Sequence, residues 1–367
     1  GLSTGFNLQV GSSIVAPSGS ISSSGARAVY LDWLVPGQLT GSVNVATVAS
    51  TGSDGTLGAP AANSSGDVGD GLFINNFAAT GGETSPALRT TNFNVTNASR
   101  HAARIQNSTG QFDLGTVTIQ TTGMDAVSLE NNGGTDTRVT IGGGEIRDTP
   151  AMVDAVNSVN TSLTVNNVTL GLDPADMMDN RQIRGDGIQI AQTDNVDRTY
   201  VVSGVRTLLT EDTPDVLGRG IVVETPGMGT GTATVFLNGN SLQTEGSAVV
   251  VNSGANPNAN IISLSLTNNT LQTLPPMMAP SILTVDVLGT NINATTNTIL
   301  IGESKYSWSD HGDTGGFSWA SATLYESNGS FANGNSPVNM VAGIDGINTH
   351  DVTVPYPFPA SIWASEG

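Results

Sequence analysis

The stretch NSLQT at residues 240–244 returns as NTLQT at residues 269–273, a step of 29 residues. A chain that repeats itself at such an interval builds one structural unit several times over, and this restricts the fold more than any other feature. The same anchor recurs in weaker form. "NFNV" ends at Val95, "GTVTI" at Ile119, "GGGEI" at Ile146, "NNVTL" at Leu170 and "GVRTL" at Leu208. "GNSL" then ends at Leu242, "NNTL" at Leu271 and "TNTI" at Ile299, with steps of 24 to 38 residues throughout. A second signature keeps pace, a small residue followed by alternating aliphatics. It reads "GDGLFI" from 69, "HAARI" from 101, "DAVSL" from 125 and "DAVNSV" from 154. It continues as "GDGIQI" from 185, "GRGIVV" from 218, "GSAVVV" from 246 and "PSILTV" from 280.

Two β-type stretches thus alternate in fixed order, each with the period-2 apolar pattern of a strand. No 3.6-residue period runs beyond two turns, so helix is minor. Short Gly/Asn turns and the lack of a helical crossover make each repeat one coil of a solenoid, whose apolar face is buried by stacking on its neighbours. Parallel stacking at about 4.8 Å gives roughly 8–11 coils and a rod on the order of 40–50 Å. Asn at the turns suits this plan, because stacked Asn side chains hydrogen-bond their equivalents above and below. Blades of a β-propeller need longer units than these.

The rung grammar of "GDGIQIAQ" and "LSLTNNTLQ" resembles the right-handed parallel β-helix superfamily, which includes pectate-lyase-like enzymes, phage tailspikes and autotransporter-type passengers. The resemblance covers roughly residues 70–300. It implies an all-β, right-handed parallel β-helix and leaves the activity open. The enzymes' motifs are mostly missing. Of the polygalacturonase-like set "RGDGI" offers an Asp-Gly, but there is no Asp-Asp pair and no Gly-His-Gly. Uronate lyases need a basic residue beside the substrate carboxylate, and this chain has a single lysine, Lys305.

Charge excludes further classes. With 12 Lys+Arg against 31 Asp+Glu the net charge is −19, which repels nucleic acid and anionic lipid. No run of 18 apolar residues is present, so membrane insertion is not expected. Cysteine is absent and a disulfide scaffold with it. The opening "GLSTGFNLQV" reads as a trimmed product. Nine Asn-x-Ser/Thr sequons, among them Asn94, Asn97 and Asn167, suggest export, so the chain is placed outside the cell or on its surface.

Composition shifts at both ends, and three segments follow: 1–60 as an N-terminal cap and first coils, 61–305 as the β-helix, 306–367 as an aromatic-rich cap or assembly segment. Nine aromatics fall between Tyr306 and the C-terminus, against three between Phe112 and Lys305. The prolines of "VPYPFPASIW" cannot continue a central strand. Solenoid ends carry edge strands that recruit other chains unless covered. The aromatic ends are therefore either plugs or joints that link subunits head to tail into a filament. Tyr30 and Trp33 at one end, and Tyr356, Phe358 and Trp363 at the other, are the candidates for assembly.

Candidate ligand positions lie in the long loops between the two signatures, 171–185, 209–218 and 272–280, which stack into a wall. "GLDPADMMDNRQIRGD" holds Asp173, Asp176, Asp179 and Asp186, and "TEDTPDVLGR" holds Glu211, Asp212 and Asp215. Such carboxylates can be solvated loop residues, oxygen ligands for calcium, or an acid/base pair acting on a glycosidic bond. Calcium is the one cofactor they suggest. His311 and His350, each beside aspartates, form the other cluster, for which a metal or general-base role stands against an ordinary turn. The Arg-Gly-Asp at 184–186 coincides with the start of a strand signature and carries no adhesion argument. The expectation is an exported, non-enzymatic structural or adhesive protein that self-associates through its ends. The alternative is a β-helix that binds or cleaves polysaccharide.

Overall fold

The computed structural model describes residues 5–9, 19–23, 27–32, 39–51, 69–171, 182–207, 214–227, 229–253, 260–267, 269–273, 285–288, 292–296, 298–302, 319–326, 338–345 and 360–362. Among these there are strands and turns and no helix. The chain forms two compact units, residues 1–169 and 170–367.

In the first unit the strands fall into three parallel sheets, visited in the same order on every pass. The first sheet runs Gly5–Gln9, Leu39–Asn44, Pro86–Arg89, Gln111–Asp113, Arg138–Ile141 and Ser162–Asn166, with Phe77–Ala79 also paired to Leu39–Asn44. The second runs Ser20–Ser23, Thr47–Ser50, Asn92–Ala98, Thr116–Thr122 and Gly143–Arg147. The third runs Val29–Asp32, Leu72–Asn75, Ala103–Gln106, Val127–Glu130 and Val156–Val159.

Register places like on like. Val95, Ile119 and Ile146 pair in one column of the second sheet, as the repeat anchors require. Leu72, Ala103, Val127 and Val156 form a column of the third sheet. All seven side chains are wholly buried. A one-residue slip would turn each set to solvent, so the alternation of apolar and polar residues fixes the pairing. Gly144 of "GGGEI" sits at φ +103°, and a Cβ there would lie 1.9 Å from the Val117 carbonyl oxygen. Only glycine lets that strand settle on its neighbour.

Three strands per pass, rather than the two read from the sequence, is the main correction. The extra strand mostly abuts its successor across one or two residues. Ser162–Asn166 and Val168–Leu170 meet at Asn167, which turns the corner at φ 52°. In sequence, "SLTVNNVTL" reads as one unbroken run. Asparagine tolerates this left-handed conformation better than most residues.

In the second unit the first sheet runs Arg198–Ser203, Thr232–Asn238, Ile261–Thr267 and Ile292–Thr296, and the third runs Ile188–Ala191, Ile221–Glu224, Val249–Asn252 and Val285–Leu288. In the second sheet Ser241–Thr244 pairs with Thr270–Thr273 in the predicted register, Leu242 against Leu271. The next partner of Leu271 is Ile301 rather than Ile299. That two-residue offset keeps the same face. Beyond this point pairing changes sense. Trp319–Glu326 adds antiparallel to Thr298–Gly302, Val338–Asp345 adds antiparallel to that, and Ala360–Ile362 runs antiparallel to Val285–Leu288.

Polar ladders run inside both units. The Ser108 hydroxyl accepts from Phe77 N–H (3.1 Å), Asn132 Oδ1 from Ser108 N–H (3.0 Å) and the Thr161 hydroxyl from Asn132 N–H (3.2 Å). In the second unit Asn240 Oδ1 accepts from Val205 N–H (3.0 Å) and Asn269 Oδ1 from Asn240 N–H (3.0 Å). Asn240 Nδ2 also donates to Asn269 Oδ1 (2.9 Å). This asparagine stack lies at the head of NSLQT and NTLQT. The repeated stretch is repeated because each asparagine satisfies a backbone N–H that the corner leaves unpaired inside an apolar core.

Candidate functional site

Most of the predicted ligand and assembly positions lie outside the described residues: Asp173, Asp176, Asp179, Glu211, Asp212, Trp33, Tyr356, Phe358 and Trp363, with His311 and His350. Asp186, Asp215 and Tyr30 are described.

Asp186 stands two residues ahead of Ile188–Ala191, where the chain turns into the third sheet. Its Oδ1 accepts the backbone N–H of Arg219 (2.7 Å), and the guanidinium grips both oxygens, with Nε at 3.1 Å and Nη2 at 2.6 Å from Oδ2. The same guanidinium reaches Glu224 Oε1 at 3.4 Å. Burial pulls the Arg219 guanidinium towards neutrality, and Asp186 and Glu224 outweigh it, so its proton is held more tightly than usual. Asp186 belongs to the Arg-Gly-Asp stretch, and its carboxylate is engaged within the protein.

Asp215 is buried, at 3% exposure, and its carbonyl accepts from Ile183 N–H at 2.9 Å. The chain packs Gly171 (φ +88°) directly on it, where a Cβ would lie 2.4 Å from Asp215 Cβ. Asp186 and Asp215 are thus fixed in the packed body. Among the described residues no group of three or more His, Cys, Asp or Glu is placed to hold a metal ion.

The site that the structure does assemble is a column at this same corner, which the sequence showed only as the residue before each alternating run. In the first unit, register places Asp70, His101, Asp125 and Asp154 in line, each two residues ahead of the paired Leu72, Ala103, Val127 and Val156. Asp70 Oδ1 accepts His101 N–H (3.1 Å), and Asp125 Oδ1 accepts Asp154 N–H (3.0 Å). Asp125 Oδ2 further accepts from Asn157 Nδ2 (3.0 Å). Burial raises the Asp125 carboxyl, against these two donors that lower it.

His101 is buried, and its Nδ1 lies 2.7 Å from the Asp125 carbonyl oxygen. A carbonyl can only accept, so Nδ1 carries the hydrogen. Burial drives the imidazole pKa down to about 3, the carbonyl contact opposing, with Arg104 and Arg100 adding to the fall. His101 is therefore neutral at physiological pH. Its ring serves as a donor from one pass to the next.

Tyr30 lies flat on Phe73, centroids 5.5 Å apart and 24° between planes. The Arg27 guanidinium sits 4.2 Å over the Tyr30 ring, and its hydroxyl donates to Asp32 Oδ2 (2.9 Å). Arg104 lies 5.7 Å from the Phe73 centroid. The tyrosine is one layer in a cation–aromatic stack, which leaves its edge exposed.

No protein-family model matches the chain, and neither curated proteins nor solved structures yield a match.

Proposed function

We propose that the chain is a right-handed parallel β-helix, each pass through the three sheets being one coil, and that it works as a structural or adhesive element outside the cell or on its surface. Crossovers between parallel strands of one sheet are right-handed in nearly all proteins, which supports the handedness. The observation that carries the non-enzymatic part is the use made of the corner carboxylates. Asp70, Asp125 and Asp186 each direct an oxygen to the backbone N–H of the following pass. A general acid or base needs that oxygen within reach of a substrate proton. Here it holds one coil to the next.

Self-association is assigned to the ends. Gly5–Gln9, Ser20–Ser23 and Val29–Asp32 are the outermost parallel strands of their sheets, a template of backbone donors and acceptors. A net charge of −19 opposes contact between copies and makes assembly dependent on salt. Electron microscopy of the purified protein across salt concentrations, with and without calcium, tests the whole account. Single particles at low salt that join into filaments as salt rises are expected. A calcium requirement would bring in the loop residues Asp173, Asp176, Asp179, Glu211 and Asp212. Particles that stay single at every salt concentration, or cleavage of a polysaccharide by the purified chain, would contradict it.

A further inference from the structure

Among the described residues of the second unit, the outer face of the first sheet carries no charge. Its first three strands, Arg198–Ser203, Thr232–Asn238 and Ile261–Thr267, alternate inward and outward residues. Arg198 is inward and buried. In the middle outward column Val201 pairs with Phe236 and Phe236 with Ser265, and the Phe236 side chain is 43% exposed. Thr234 and Ser263 flank it on one side, Asn238 and Thr267 on the other. The Thr267 hydroxyl donates to Asn238 Oδ1 at 2.8 Å, which fixes that flank. Asp197, ahead of the strand, accepts Thr232 N–H at 2.8 Å. The corresponding strands of the first unit carry Arg89, Asp113 and Arg138, so an uncharged face is not a general property of this sheet.

We propose that this face binds a neutral polysaccharide, with Phe236 as the stacking platform. A pyranose ring offers an apolar face of C–H groups and a rim of hydroxyls. The first suits an exposed aromatic ring on a flat sheet. The second needs groups that both donate and accept, which Ser, Thr and Asn side chains do. Charge decides between glycan classes: an anionic polymer finds no cation on this face and meets a chain of net charge −19. Three strands about 4.8 Å apart and about 20 Å long give a strip of roughly 300 Å². That suffices for a short run of sugar rings.

The proposal deepens the adhesive half of the function given above and rests on it, yet the two fail separately: microscopy reads the assembly and retention reads the face. The full chain is mixed with microcrystalline cellulose, chitin and granular starch, and with a polygalacturonate gel as the anionic comparator. Retention on at least one neutral polysaccharide is expected, weakened tenfold or more in both Phe236→Ala and Ser265→Asp. Circular dichroism confirms that each variant is folded, and two unrelated changes guard against one that is not. Retention on none of the three, stronger retention on polygalacturonate, or retention unchanged in both variants would overturn the proposal.

Discussion

The corner ahead of the third sheet is built twice, on different chemistry. In the first unit it holds Asp70, His101, Asp125 and Asp154, with the histidine buried and neutral. In the second it holds Asp186 and Arg219, with Ser247 next, and the arginine side chain is 38% exposed. The backbone clasp is common to both, an aspartate oxygen accepting the N–H of the residue one pass on. What differs is how the carboxylate's surroundings are settled. Asp125 relies on burial and neutral donors, Asp186 on a two-pronged ion pair reaching solvent. The geometry of stacking demands the clasp; its electrostatics are free to vary, and with them the response to pH and salt.

The internal ladders are where the two units should agree, and they set the largest effect. Asn132 and Asn240 are both almost fully buried and each satisfies several backbone groups. Asn132→Ala and Asn240→Ala should each lower stability by about 3 kcal/mol in urea unfolding, because buried donors and acceptors are left unmade. A large difference between them would break the equivalence of the units.

His101 should make the first column sensitive to acid. Its folded pKa, about 3, lies below the ordinary 6.5 of the unfolded chain, so acid favours the unfolded state, which binds the proton more readily. The contribution is complete above pH 6.5 and is lost as pH falls towards 3. Asp125 acts in the opposite direction: its raised pKa means that protonation in mild acid relieves the folded state. A net loss of stability between pH 7 and 4, read by urea unfolding, is expected. His101→Gln should flatten the part of that slope which the histidine contributes. An unchanged slope in that variant would remove the histidine from the account.

Asp125→Ala should cost about 2 kcal/mol, and Asp186→Ala about 1 kcal/mol, since the second site is the more exposed. Added salt should narrow the cost of Asp186→Ala and leave that of Asp125→Ala nearly unchanged. The smallest effect belongs to Arg219→Lys, a few tenths of a kcal/mol, from losing the two-pronged grip while keeping the charge. Equal salt dependence at both corners would show that the chemical distinction between the columns has no energetic counterpart.

The sequence made the register legible where the repeat is strict. Val95, Ile119 and Ile146 pair as aligned, and so do Leu242 and Leu271. Apolar alternation carries this information because a slip exposes the whole set. The first sheet was hidden because most of its strands join the second at a corner of one or two residues, such as Asn167, too short to interrupt the pattern. The asparagine ladder was legible from the repeated Asn at 240 and 269. The aspartate clasp was not. In "GDGLFI", "DAVSL" and "GDGIQI" the acid looks like a solvated turn residue, and its partner lies 29 to 33 residues on. In sequence Asp186 stands out by its acidic neighbours, which lie outside the described residues, while the group that determines its role, Arg219, stands one pass away.

The clasp can be read directly by hydrogen exchange at the backbone N–H groups of His101, Asp154 and Arg219. Each should be strongly protected in the wild-type chain. Protection should fall at Asp154 alone in Asp125→Ala and at Arg219 alone in Asp186→Ala, while the neighbouring strands stay protected. Protection that survives at Asp154 and Arg219 in those variants would contradict the account, and would return both carboxylates to the pool of groups available for other work.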